Sequence, residues 1–469
     1  MSANETSQAF WLAYGDFVRD KASIKIVEGG DTAFFLASQA QKGPPAGSLV
    51  PEPYGNLGIF NIGNNLLSTA DVFYNPSSQN GYVDALETFL ANVDLGGSPG
   101  EALDTAIVNA LKDKEAADKW FAREKSNAKA TYASDFKDGF TTIPNLYDWI
   151  LDGNAPGYIT AEKNATSIAS RLEALQAKVD GPLAPKVSQD KANIRKAQEQ
   201  SALKPGFNME AAAGDLPSSA ELKRLQQAGD KSAKPAVYYV PQYTGLDEYK
   251  KFVSAAEQKA TSSTWKPAQS YDLKIDKGKK AEDYKFGQVS GGGSVAVSCG
   301  PWFAFSASAN HSETETDSSS QVDTEDVSVK ILFDDMRLIA ISPGQWNFNT
   351  KAYRLREDAP KESKTLARVS QLVVVTGLGY EISLGATSAA KVDSLYKQTT
   401  QAGGGLRIFG IPIGLGGSGS KTTETSSHSS SWDSATKTLT IKPTIESGYA
   451  TVVGVVGEKI QTAGAAPPA

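Results

Sequence analysis

The sequence predicts an α+β, multidomain protein with a mainly helical N-terminal domain followed by an antiparallel β domain. Three observations predict this class. Apolar residues repeat at helical spacing before residue 270, the period changes to two after Gly291, and a later segment repeats an earlier one at a fixed offset. A chain of 469 residues with 40% hydrophobic and 21% charged side chains can also bury several cores.

The helical domain is predicted over residues 1–270. A helix over 100–128 is predicted because Ser98–Glu101 combines a capping serine, a proline at the first helical position and a glutamate. Apolar residues of 168–179 follow spacings of four and three, which predicts a second helix that packs on another helix. A partner helix is predicted over 186–202.

Proline and glycine indicate where the chain is irregular. Residues 40–80 and 203–218 are predicted as loops because they are crowded with these residues. A stretch rich in Pro, Gly, Ser and Lys gives the predicted linker, residues 271–290. The tail 462–469 is too rich in small residues and proline to order itself, so we expect it to be disordered.

The β domain, residues 291–461, is predicted to contain one structural unit twice. Residues 291–333 align with 403–445 without a gap, at a shift of 112 residues from 291 to 403. The shift superposes Gly-rich starts, Ser/Thr-rich tips and apolar-alternating runs, as expected of a unit used twice. The first copy is predicted over 291–345 and the second over 403–457.

Each copy is predicted to form a Gly-rich hairpin with a Ser/Thr tip. In the first copy, apolar and small polar residues alternate from Ser294 to Asp317, which predicts a long strand. A break or bulge is predicted near Gly300-Pro301, because proline cannot donate a hydrogen bond to a neighbouring strand. A turn is predicted at 317–321 and the return strand at Val327–Phe333. In the second copy, Ile408–Leu415 precedes the tip, residues 418–431, and the return strand includes Leu439–Ile441. Further strands are predicted in the β-branched runs 338–341, 366–385 and 449–456.

Residues typical of catalysis are sparse in this sequence. It lacks the common dinucleotide, phosphate-loop, serine-hydrolase, zinc-peptidase and EF-hand motifs. His311 and His428 lie among Ser and Thr and are predicted to be solvated loop residues, not paired catalytic groups. The only cysteine, Cys299, is predicted as a small buried apolar residue without a disulfide. We therefore expect no catalytic residue, metal or cofactor, although an enzyme is not ruled out.

The alternative that the protein is an enzyme depends on two carboxylate clusters. They are Asp334-Asp335 and the acidic run from Glu313 to Asp317. Strand alternation places the acidic run on one face, where like charges repel unless solvent or a cation such as Ca²⁺ screens them. A solvated hairpin tip is the favoured interpretation.

Charge and the N-terminal sequence limit partners and location. A net charge of −6 gives no attraction for polyanions, so no nucleic-acid partner is expected. The N-terminus lacks the basic and apolar regions of a secretory signal, which predicts cytoplasmic synthesis, with any release by an unconventional route. No run approaches about 18 apolar residues, so membrane action would come from amphipathic helices or β-structure.

The alternating segments favour a membrane role. Residues 295–309 and 327–333 roughly meet the need of a membrane strand for about 9–11 alternating residues. In pattern, over the C-terminal third only, they resemble the insertion hairpins of β-barrel pore-forming toxins. This resemblance implies a non-enzymatic, oligomerising, pore-forming toxin-like protein whose partners are its own copies and membrane lipid. The residues expected to contact membrane or partner are Val295, Val297, Trp302, Phe303, Phe305, Val327, Val329, Ile331, Ile408, Ile411, Ile413, Leu439 and Ile441.

Two other functions fit the same pattern. A half-buried sheet of a soluble protein has the same alternation, so a self-assembling or ligand- or protein-binding β-sandwich without membrane action is the first alternative. Gly-rich strands also specify their register weakly, which favours oligomerisation in either case. An enzyme with an unrecognised carboxylate site is the second alternative.

Overall fold

A computed structural model of the chain describes most of its residues. The described ranges are 3–27, 29–47, 50–74, 81–96, 101–177, 183–217, 235–259, 265–276, 301–306, 315–317, 327–360, 365–415, 428–443 and 448–462. Most of the predicted linker and tail lies outside these ranges, together with Cys299, His311, Val295 and Val297. The predictions for those residues therefore stay predictions.

Helices dominate the first half of the described chain. They are α1 Ala3–Lys21, α2 Glu52–Gly63, α3 Tyr82–Ala91, α4 Glu101–Asp138, α5 Leu146–Trp149, α6 Pro156–Ala177, α7 Ala184–Gln198, α8 Leu246–Lys259 and α9 Ala386–Gln401. The helix predicted over 100–128 is confirmed as α4, which continues to Asp138. Helices are also confirmed at the other two predicted places, as α6 and α7. Leu172 and Leu175 of α6, however, pack on Ile107 and Ala110 of α4 and not on the predicted partner helix.

Strands occur on both sides of the predicted linker. They are β1 Thr32–Lys42, β2 Leu66–Ser68, β3 Phe73–Tyr74, β4 Asn208–Ala212, β5 Val237–Pro241, β6 Tyr243–Thr244, β7 Gln269–Asp272, β8 Phe303–Ser306, β9 Glu315–Asp317, β10 Val327–Phe333, β11 Asp335–Ala340, β12 Ser342–Pro343, β13 Leu366–Thr376, β14 Gly379–Leu384, β15 Gly405–Ile408, β16 Ile411–Gly414, β17 His428–Asp433, β18 Thr438–Pro443 and β19 Thr451–Lys459. Helices and largely antiparallel sheets confirm the α+β class.

A six-stranded sheet lies at the centre of the molecule, in the order β11-β13-β19-β1-β3, with β2 also paired to β13. Both of its faces are buried. Phe35 on β1 belongs to a first core shared with the helices, whereas its neighbour Phe34 belongs to a second core shared with α1 and the remaining strands. Burial on both faces explains the continuous apolar runs of β13 and β19.

The central sheet combines segments from both predicted domains. β1 comes from the N-terminal part and pairs antiparallel with β19, for example Phe35 with Val455. On its other edge β1 pairs in parallel with β3. The hydrogen-bonded sheet thus contains strands from both the helical domain and the β domain that the sequence predicts.

The structure differs from the loop predicted over residues 40–80, because this stretch contains α2 and the short strands β2 and β3. The glycines of this stretch do not end α2; they allow other segments to pack closely against it. A Cβ on Gly58 would lie 2.5 Å from the Cα of Pro44, and one on Gly63 would lie 2.7 Å from the Tyr243 ring. Residues 203–218, also predicted as a loop, contain β4, which pairs with β5.

Candidate functional site

The residues predicted to contact a membrane or partner meet in the second core. Among the described ones, Val327 is half-buried and packs against this core, and the others are buried in it: Trp302, Phe303, Phe305, Val329, Ile331, Ile408, Ile411, Ile413, Leu439 and Ile441. The structure thus brings residues of the two aligned segments, 291–345 and 403–457, together around one apolar interior. None of these described side chains lies exposed on the surface.

Strands of the two copies pair directly in a four-stranded sheet, in the order β16-β15-β8-β9. β8 of the first copy pairs antiparallel with β15 of the second, which places Phe303 opposite Ile408 and Phe305 opposite Leu406. Directly opposite apolar side chains stabilise such a pair. The two aligned segments therefore share one sheet through the β8–β15 pair.

The hairpins turn at positions that differ from the predicted ones. Ala304 on β8 pairs antiparallel with Asp317 on β9, so Phe303–Ser306 and Glu315–Asp317 are neighbouring antiparallel strands. The long strand predicted over Ser294–Asp317, with a break or bulge near Gly300-Pro301, is therefore wrong for the described residues, which form two strands, and β10 pairs with β7 and β14 instead of with β8. Ser and Thr alternation is compatible with a strand but does not exclude a reversal, which is why the pattern misled the prediction.

A second reversal lies inside the run Ile408–Leu415, which the sequence pattern had joined into one strand. Phe409 and Gly410 have φ values of 45° and 75° and connect β15 to β16. Two central residues with positive φ are typical of a tight two-residue hairpin turn. The second copy contributes a further hairpin, β17–β18, in which Trp432 lies opposite Leu439.

A five-stranded sheet, in the order β17-β18-β14-β10-β7, places the two return strands on either side of β14. Tyr380 of β14 lies between Ile331 and Ile441. These two residues are 110 apart in sequence, from 331 to 441, whereas the sequence alignment gave 112. A difference of two residues keeps every side chain on the same face of a strand.

Helix α1 covers the apolar strands of both copies with aromatic side chains. Phe10 stacks on Trp302 with ring centroids 4.1 Å apart, and Tyr14 stacks on Phe409 at 4.4 Å. Phe17 lies edge-on to Phe333 of β10 at 5.6 Å. Each such aromatic pair stabilises the fold by about 0.5–1.5 kcal/mol, in addition to the effect of the apolar area that it buries.

A buried pair of phenols lies within the same contact. The Tyr380 hydroxyl donates to the Tyr14 hydroxyl at 3.4 Å. Burial raises the pKa of both phenols well above their usual range, so both stay protonated. The contact between α1 and β14 thus combines aromatic packing with one hydrogen bond between neutral groups.

The role of α1 was missed from the sequence, although a signal for it exists. Its aromatic residues Phe10, Trp11, Tyr14 and Phe17 repeat at helical spacing, and all four are buried. Helical periodicity in these residues would have predicted a helix that packs against an apolar surface.

His428 is buried, so the prediction that it is a solvated loop residue is wrong. β17 begins at this residue, and its Nε2 lies 2.7 Å from the carbonyl oxygen of Leu378, between β13 and β14. Burial lowers the pKa of His428 to about 4. The many neighbouring Ser residues suggested a loop, whereas this segment is a strand whose first side chain points into the core.

The carboxylates singled out in the sequence make structural contacts where they are described. Asp334 Oδ1 accepts a hydrogen bond from the backbone N–H of Ala268 at 3.2 Å. Asp335 Oδ2 accepts one from Arg337 Nε at 3.0 Å. Among the described residues, no group of three or more His, Cys, Asp or Glu side chains is arranged to hold a metal ion.

Comparison with known proteins found no matching family model, no matching curated protein and no matching solved structure. Within the described ranges, no helix combines the length and apolar character needed to cross a membrane.

Proposed function

We propose that this protein acts on membranes as a non-enzymatic, oligomerising, pore-forming toxin-like protein, and that its acting part is the pair of repeated β units beneath α1. One observation carries the proposal. A single helix at one end of the chain covers the apolar residues of strands from both copies, in particular Trp302 and Phe409.

The contacts that hold α1 against the sheets support a step in which α1 is released from them. Its contacts to the sheets are made by side chains such as Phe10, Trp11 and Tyr14, while the strands beneath it have their own ladders. Loss of α1 would uncover Trp302 and Phe409 without breaking a strand pair. Large contiguous apolar patches mark membrane or protein interaction sites.

The arrangement of the copies supports oligomerisation. β9 and β16 occupy the two outer positions of the four-stranded sheet. Unpaired strand edges can accept strands from another chain. Because β8 of one copy already pairs with β15 of the other, the same pairing between protomers would join several chains into a larger sheet or barrel. The two copies being one duplicated hairpin unit is part of this proposal.

Leakage of a dye from liposomes tests the proposal. Phe10→Ala removes the ring that stacks on Trp302, so we expect faster leakage than with the unmodified protein. Gln8→Ala, on the same helix but only half-buried, is the matched control and should leave the rate unchanged. Circular dichroism on both variants checks that the protein is folded before lipid is added.

A second measurement identifies the segment that meets the lipid. Brominated lipids quench tryptophans that enter the bilayer, and Trp302→Phe should remove a measurable share of this quenching while leaving leakage largely intact. Trp346→Phe is the control, because Trp346 belongs to the first core and donates to Gln242 O at 2.8 Å.

The alternatives give different results in these experiments. Oligomers in size-exclusion chromatography without leakage or quenching would contradict membrane action and favour the soluble self-assembling or binding protein. Leakage that is equal for Phe10→Ala and Gln8→Ala would contradict the covering role of α1. If neither leakage nor oligomers appear with any folded variant, the enzyme alternative becomes the one to test.

A further inference from the structure

The loop between α1 and β1 connects the helix to the strands that it covers. α1 ends at Lys21, and β1 begins at Thr32 within the central sheet. There β1 is held by its antiparallel pairing with β19, which starts with Thr32 opposite Glu458. Residues 22–31 are therefore the covalent connection between α1 and the sheets, while aromatic side chains of α1 supply noncovalent contacts.

Part of this loop is open to solvent. Lys25 is exposed, and the apolar Val27 is 67% exposed. Gly29 has φ of 74°, and a Cβ there would meet no atom within 4 Å. Among the described residues between 25 and 30, the backbone hydrogen bond from the Gly30 N–H to the Val27 oxygen, at 2.9 Å, lies within the loop itself. Exposed loops with few backbone contacts to the rest of a protein are preferred sites of proteolysis.

Lys25 is the only basic residue of the loop, whose sequence is ASIKIVEGGD over residues 22–31. The preceding lysine, Lys21, is in a different situation. It belongs to the last turn of α1, and its Nζ lies 5.5 Å from the centre of the Tyr271 ring. Because proteolysis requires local opening of the backbone, a helical residue is cleaved less readily than a loop residue. An endopeptidase that cleaves after lysine therefore finds its best bond here between Lys25 and Ile26.

The residues on either side of Lys25 connect this bond to the second core. Ile24 is buried in that core, and Ile26 packs against it. Hydrolysis adds a hydroxyl group to the carbonyl carbon of Lys25 and a hydrogen to the nitrogen of Ile26, which leaves a carboxylate and an ammonium group. Both new charges lie next to apolar side chains, where a charge without a partner is unfavourable. Cleavage thus also weakens the contact between the loop and the second core.

Cleavage changes how α1 is held against the sheets. A short flexible connection keeps the groups that it joins at an effective concentration in the mM range. After cleavage, α1 binds the sheets as a separate peptide, so at about 1 µM protein its tendency to rebind falls about a thousandfold. β1 keeps its pairing with β19, because the cut lies before Thr32. The strands therefore stay in place while the helix that covers them becomes free to leave.

We propose that an endopeptidase that cleaves after lysine releases α1 by hydrolysing the Lys25–Ile26 bond. The inference rests on the proposed function, because it names the event that uncovers the apolar residues beneath α1. Until this bond is cut, α1 covers Trp302 and Phe409. The cleaved protein is the form that acts on membranes.

Limited digestion of the full chain with trypsin tests the release of α1 without lipid. We expect mass spectrometry to find a chain that begins at Ile26, and at least about tenfold less of a chain that begins at Ala22. In size-exclusion chromatography at about 1 µM, the protein peak should then lack the residues of α1. Lys25→Gln should give no chain that begins at Ile26. Lys21→Gln is the matched control and should release α1 like the unmodified protein.

Dye leakage from liposomes connects cleavage to membrane action. Trypsin, stopped by an inhibitor before lipid is added, should accelerate leakage by the unmodified protein at least about tenfold. Lys25→Gln should show a much smaller acceleration. Apart from Lys25, both proteins carry the same lysine and arginine residues, so cuts elsewhere in the chain affect both. The difference between them therefore measures the effect of the Lys25–Ile26 bond.

Failure of this inference can be distinguished from failure of the proposed function. The inference is overturned if no chain begins at Ile26, or if α1 stays in the protein peak after the cut. Equal acceleration of leakage in the unmodified and Lys25→Gln proteins would overturn it as well. If α1 is released but neither the cleaved protein nor Phe10→Ala causes leakage, the proposed membrane action is wrong, whereas the release of α1 by cleavage is supported.

Discussion

At the scale of single residues, His428 is the buried group whose protonation most directly opposes the fold. Its Nε2 lies against the Leu378 carbonyl oxygen, and the residue is 4% exposed. Desolvation favours the neutral ring, which lowers the pKa to about 4 from an ordinary value of about 6.5. The unfolded chain, with the higher pKa, binds the proton more readily than the folded protein.

Stability should therefore fall as the medium is acidified. The contribution of His428 is complete above pH 6.5 and is lost between about pH 6.5 and 4, with a total loss of about 3 kcal/mol. Urea unfolding at pH 7 and pH 4 measures this. His428→Gln retains an amide donor for Leu378 O but does not titrate, so its stability should fall by about 3 kcal/mol less over the same interval. Equal losses for both proteins would show that His428 is not the titrating group.

At the scale of elements, periodicity predicted those whose pattern extends over many residues. The stripes on α4 and α6 and the apolar runs of β13 and β19 are long, and each is confirmed. Tight reversals depend on one or two residues, and a pattern of alternation continues across them. The separation of β8 from β9 and the turn at Phe409–Gly410 were therefore missed.

The same limitation applied to the candidate site. The sequence identified the apolar residues of the repeated units, and the described ones do share one core. It did not identify α1 as their cover, because the helical spacing of its aromatic residues predicts an apolar face but does not show which distant segment that face contacts. Phe10 and Trp302 are an example.

The turn between β15 and β16 offers a test at this scale. Gly410 has φ of 75°, and a Cβ there would lie 2.6 Å from the carbonyl oxygen of Ser38. Gly403 has φ of 68°, but a Cβ would meet no atom within 4 Å. Gly403→Ala should lower the unfolding free energy by about 1–2 kcal/mol, because alanine is disfavoured in the left-handed backbone conformation. Gly410→Ala should lower the unfolding free energy by at least about 1 kcal/mol more than Gly403→Ala, because the backbone must also shift.

Unfolding free energies of the two alanine variants, obtained by the same urea titration, make the comparison. The difference between the variants is the informative quantity, since both carry the same backbone strain. A Gly410→Ala variant no less stable than Gly403→Ala would mean that the β15–β16 turn does not approach β1 as closely as the structure places it.

At the scale of the whole molecule, the central sheet joins the two cores. β1, β13 and β19 contribute alternate side chains to each side, so neither core is complete without these strands. Interactions on the two faces are then linked through shared hydrogen-bonded ladders. Cooperative unfolding is expected where a single element belongs to both cores. Two independent domains would instead unfold separately.

Phe34 and Phe35 distinguish these cases, because they are neighbours on β1, are both fully buried, and point into opposite cores. Phe34→Ala and Phe35→Ala should each lower the unfolding free energy by about 3–5 kcal/mol. Each variant should also shift the helical circular-dichroism signal and tryptophan fluorescence to the same lower midpoint. If each variant instead gave two separate transitions and moved only one of them, the cores would unfold independently and the two-domain division predicted from the sequence would be favoured.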